Sequence, residues 1–157
     1  MELEWTDILF RLGAATAAGI ALGLNRDLMN KPIGMRTLGL VSLGSAIVVV
    51  ATVHFQNMIA HPDALSRVVQ GVIQGIMTGI SFIGAGVILR DARLRTVEGL
   101  TTAATVWVTA ALGIACGLAA WRIVVVGVGV SLFLLAVVGW IERRVGLGDE
   151  NKEDRRS

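Results

Sequence analysis

The chain has 157 residues, 54% of them apolar, with 19 glycines and only 17% charged residues. An ordinary soluble domain is about half apolar when glycine is counted, and here the share is about two thirds. The 26 charges leave uncharged windows at 12–25, 37–62, 68–89, 99–121 and 123–141, and the last four exceed the roughly 18 residues that span a bilayer as a helix. These windows exclude a water-soluble globular domain. The isoelectric point of 9.3 reflects 14 basic against 12 acidic residues and no basic stripe, which excludes a nucleic-acid module as well.

Five membrane helices follow in chain order. The first runs from Trp5 to about residue 25, with Asp7 and Arg11 four residues apart near the membrane edge, placed to pair while Arg11 snorkels. The others read as 37–55, 68–89, 99–118 and 121–141, and the last two share a tight antiparallel turn near Gly117–Ala120. The tail GDENKEDRRS carries mixed charge and no apolar residue, so 142–157 reads as a solvated, disordered end. MELEWTD lacks the basic start of a signal peptide, and Cys116, the single cysteine, leaves no partner for an intramolecular disulfide.

Orientation follows from the loops. Arg26, Lys31 and Arg36, then Arg90, Arg93 and Arg95, then five bases in the tail fall on one side, against Arg11, Arg67 and Arg122 on the other. Eleven to three places the tail in the cytoplasm and the N-terminus outside. Trp5 and Trp121 then mark the outer interface and Trp140 the inner one. Residues 24–40 and 88–104 share the order Arg, Asp, basic loop, glycine, new span, which predicts a parallel repeat of helix pairs or, alternatively, two inward loops that gather these residues for topological reasons.

Two sets of residues carry candidate function. In the third span Gly71, Gly75 and Gly79 form a packing stripe, and Gln70, Gln74, Thr78 and Ser81 a polar face beside it; Thr101, Thr102, Thr105 and Thr109 continue the polar theme in the fourth. Amides in hydrocarbon need partners, so the third span's face is directed at protein or water, either for packing or as a hydrated path. The second set is a charged layer at the cytoplasmic ends: Arg26, Asp27, Lys31, Arg36, Arg90, Asp91, Arg93, Arg95 and Glu98. It serves either as anchoring with local ion pairs or as a gate or partner-binding surface. His54 and His61, seven apart without a carboxylate between them, read as loop residues and make no metal site. Catalytic signatures, dinucleotide loops and mid-membrane ionisable groups are absent from the sequence, so no enzyme, cofactor or metal site is expected.

LGLNRD (22–27), KPIGMRT (31–37), LGSA (43–46), GISFIGAGVILR (79–90) and VEGLTTAATVWVTAALGIACG (97–117) resemble the MgtC/SapB family of bacterial inner-membrane proteins. The resemblance implies a multi-pass inner-membrane protein linked to growth at low Mg²⁺, with virulence-type members that restrain the ATP synthase. Many such members carry a soluble domain after the last span, and the chain is expected to be a short form without it. It has Asn25 where the family usually has an acid and Glu98 where it usually has a base, which predicts that these two face each other through a hydrogen bond. Two functions are expected: a regulatory or stress-adaptation protein, homo-oligomeric and acting on another membrane complex, or a small cation carrier whose path follows the polar faces of spans three and four.

Overall fold

A computed structural model describes residues 4–31, 33–56, 62–91 and 96–145 of the chain. Five helices follow one another: α1 (Trp5–Leu28), α2 (Met35–Gln56), α3 (Pro62–Val87), α4 (Leu100–Gly117) and α5 (Trp121–Val145). The first four are long and apolar enough to cross a membrane, and α5 opens with an apolar stretch over Trp121–Val137. The polytopic all-helical reading therefore stands for the spans.

The connection between α3 and α4 departs from it. β1 (Leu89–Asp91) and β2 (Thr96–Glu98) pair antiparallel, with Arg90 opposite Val97. The strands claim the residues that an apolar count assigns to the end of the third span, so α3 stops at Val87; at its other end it starts at Pro62, whose fixed φ suits a first helical position. The predicted repeat does not extend to the loops, because Arg26 and Asp27 lie in the last turn of α1 whereas Arg90 and Asp91 lie on a strand. α5 continues to Val145, four residues past its predicted end; residues 146–157 of the predicted tail lie outside the described residues.

α4 is the centre of the bundle and touches the other four helices. It can be central because its neighbours approach at small residues. A Cβ on Gly113 would overlap the Ser42 backbone, one on Gly19 the Leu38 carbonyl, and one on Gly23 the Met35 backbone. Lipid tails are as apolar as leucine, so helices associate in a bilayer through such close van der Waals contact and not through a hydrophobic gain. Ala15, Leu22, Leu38, Ala46, Val106, Ala110 and Cys116 fill the resulting core without exposed surface.

Two helix ends share one closing motif. At the end of α1 the Asn30 N–H donates to the Asp27 carbonyl and the Lys31 N–H to the Arg26 carbonyl, with Asn30 at φ 52°. At the end of α4 the Ala119 N–H donates to Cys116 and the Ala120 N–H to Ala115, with Ala119 at φ 56°. These are paired C-terminal bonds around a left-handed residue, which satisfy otherwise orphaned carbonyls. The second makes the tight α4–α5 turn that the sequence predicts.

Candidate functional site

The charged end of the bundle is built around Arg26. It follows Ala15, Ala18, Gly19, Leu22 and Gly23 on one face of α1, and like them it is buried, with 2% of its surface exposed. Its guanidinium donates to Thr102 Oγ1 on α4. Within the charged layer that the sequence predicts, Arg26 thus belongs to the packed interior of the bundle. The signal was present in the spacing, since the small-residue face of α1 ends on Arg26.

Asp27, one residue on, is exposed and has a different task. Its Oδ2 accepts the Met35 N–H at 3.0 Å, capping the first turn of α2 across the loop. Gly34 lies so near the carboxylate that a Cβ there would occupy its position. The motif from Arg26 to Gly34 therefore joins α1 to α4 through one side chain and to α2 through the next. Lys31 and Arg36 are exposed at the same end. The side chains of Arg90, Asp91, Arg93, Arg95 and Glu98 lie outside the described residues, and so does the proposed Asn25–Glu98 contact; Asn25 Oδ1 is buried without a hydrogen bond among the described residues.

The two polar faces do not meet. Thr102, Thr105 and Thr109 are buried, with Thr105 Oγ1 donating to the Thr101 carbonyl at 2.7 Å and Thr109 Oγ1 to the Thr105 carbonyl at 2.8 Å. At about 100° per residue they lie at least about 100° around α4 from Ala103, the residue nearest Gly84 of α3. Gln70, Gln74, Thr78 and Ser81 are exposed on α3, and Ser81 Oγ donates back to the Met77 carbonyl at 2.8 Å. Among the described residues nothing outside α3 lies within 4 Å of a Cβ placed on Gly71, Gly75 or Gly79, and Gly75 and Gly79 line an open groove beside α2. Among the described residues the stripe thus makes no close helix crossing within the subunit.

Sequence reasoning misses what lies at the opposite end. Arg11 pairs with Asp7 at 2.7 Å as expected, but it also donates to the Gly117 carbonyl at 2.8 Å, reaching inward to the C-terminus of α4 instead of outward to the interface. Phe10 meets Trp121 edge to face beside it, at 4.8 Å between ring centres. Among the described residues no group of three or more His, Cys, Asp or Glu is placed to hold a metal.

The MgtC family matches residues 12–144, a range that holds the α1–α2–α4 contacts and both polar faces. Protein SrpB of Synechococcus elongatus is 42% identical over 142 residues, covering 85% of this chain and 75% of that protein. Protein SapB of Bacillus subtilis is 33% identical over 152 residues, covering 93% and 64%. The putative magnesium transporter YhiD of Escherichia coli is 33% identical over 131 residues, covering 83% and 60%. The chain spans about three fifths to three quarters of the length of these relatives. No solved structure matches it. A match over residues 12–144, most of the chain, makes this membrane protein a member of the MgtC family.

Proposed function

We propose that the chain is a non-enzymatic protein of the bacterial inner membrane that supports adaptation to low magnesium or to ion and energy stress by modulating another membrane complex. One observation carries this reading over transport. Thr102, Thr105 and Thr109 of α4 are buried in the bundle and bonded to their own helix or to Arg26, so they line no route shared with the polar face of α3. The magnesium link rests on the family and on the name of one relative. The ATP synthase is the candidate complex through the family resemblance alone.

The second reading, a small cation carrier, is favoured by the exposed amides of Gln70 and Gln74 and by the transporter description of that same relative. Ion flux decides between them. Proteoliposomes holding only the purified protein should show no saturable Mg²⁺ uptake, while a strain lacking the gene should grow poorly at limiting Mg²⁺ and recover when the chain is restored. Saturable flux that Gln74→Leu abolishes would reverse the order of the two readings.

A further inference from the structure

We infer that two copies of this chain pair through α3, with Gln74 of one subunit hydrogen-bonded to Gln74 of the other near the middle of the membrane. α3 has 26 residues and is roughly 39 Å long. Gln74 stands twelve residues from its start and thirteen from its end, so its amide lies at roughly the bilayer midplane, where no water can satisfy it. It is exposed and makes no hydrogen bond among the described residues, and Gln70 shares both properties one turn away. An amide left to hydrocarbon costs on the order of several times the thermal energy, so this face is covered by protein.

Geometry selects the second copy as the cover. At about 100° per residue Gln70, Gln74, Thr78 and Ser81 fall within an arc of about 80°, and Gly71, Gly75 and Gly79 occupy the adjoining arc. Val69, Val72 and Ile73, which line a cavity shared with α2 and Leu118, lie at least about 100° around the helix from Gln74, so the glutamine amide is turned away from its own bundle. A two-fold axis along the membrane normal brings residues of equal number to equal depth. A glutamine amide is donor and acceptor at once, hence complementary to itself, and the glycines let the two backbones come close enough for the amides to meet. An open groove of about 440 Å³ between α2 and α3, lined by Leu40, Gly44, Gly75, Ile76, Gly79 and Ile83, leaves room beside the axis for the partner's α3 side chains. The pairing is independent of the role proposed above, since either a regulator or a carrier would have to cover these amides.

Single cysteines at Gly71, Gln74, Gly75 and Thr78 in a Cys116→Ala background, oxidised in native membranes, test the pairing. Gln74→Cys and at least one of its turn neighbours should give a covalent product of twice the chain mass, while Phe133→Cys on α5, which is 69% exposed, should not. Gln74→Leu should weaken association at least fivefold in a detergent dilution series without lowering the melting temperature of the monomer, because the side chain is exposed and makes no hydrogen bond among the described residues; Gln74→Asn should retain association. A wild-type protein that is monomeric in native membranes, crosslinks that favour α5, or products of a mass set by a different protein would each overturn the inference.

Discussion

Arg26 and Thr102, 76 positions apart in the chain, meet inside the bundle where the end of α1 passes the start of α4. A buried guanidinium needs its acceptors, because water cannot replace them at 2% exposure. Thr102→Val keeps the shape and removes the hydroxyl, so it should cost about 1.5–3 kcal/mol in thermal unfolding in detergent. Thr102→Ser should cost markedly less. Equal losses for the two would mean that packing of the methyl group, and not the hydrogen bond, matters at this position.

Asp27 and Gly34 form one device, which makes a double-mutant cycle informative. Asp27→Ala removes the cap on Met35 and should destabilise by about 1 kcal/mol, whereas Asp27→Asn keeps an acceptor and should lose less. Gly34→Ala pushes the carboxylate away from the same N–H. The two changes remove one interaction, so the double variant should be no worse than the poorer single one, and simple additivity would show that the cap is absent.

The spans were legible because a bilayer imposes a length and an absence of charge that a residue count can see. Burial within the bundle was less so. Arg26 looked like a loop base because it sits among five others near the predicted surface, yet the run of Ala15, Ala18, Gly19, Leu22 and Gly23 at helical spacing leads directly to it. Gln74 was recognisably in need of a partner, but periodicity alone gives a face and not its direction; its exposure, with Val72 and Ile73 of the same helix lining a cavity against α2, turns that face outward. The β-ribbon escaped because three-residue strands carry too few positions for an alternation to register, although Thr96 and Val97 are β-branched.

Glycines of similar appearance should respond oppositely. Gly113→Leu drives a side chain into the Ser42 backbone at the crossing of α2 and α4, where no rotamer relieves the overlap, and should cost at least about 3 kcal/mol or abolish folding. Gly129→Leu on α5 meets nothing within 4 Å and should leave the melting temperature unchanged or raise it. Retained folding of the first with loss of the second would place the wrong helix at the centre of the bundle.

Orientation is testable without a structure. Eleven of 14 bases fall on the side of the α1–α2 and α3–α4 connections, which predicts that this side faces the cytoplasm. In a Cys116→Ala background, a cysteine at Glu2 should react with an impermeant maleimide on intact spheroplasts and one at Ser157 should not. Reaction at Ser157 alone would invert the topology, and reaction at both ends would require an even number of crossings.

Ala119 offers a stabilising change. It holds φ 56° at the position after the α4 C-cap, where its N–H closes on the Cys116 carbonyl and that of Ala120 on Ala115. The left-handed conformation places a Cβ too near the following carbonyl oxygen, a cost of about 1–2 kcal/mol that glycine does not incur. Glycine also has more freedom to lose on folding, which returns part of that gain. Ala119→Gly should therefore stabilise the protein by about 0.5–1 kcal/mol, read as a higher melting temperature in detergent. Ala119→Val, branched at the Cβ, should do the reverse and by more. The strain is local to the turn and independent of the Arg11–Gly117 hydrogen bond, so each of the two changes should have the same effect in an Arg11→Gln background as in the parent. A glycine variant that melts lower than the parent would show that the turn does not adopt this conformation in the membrane.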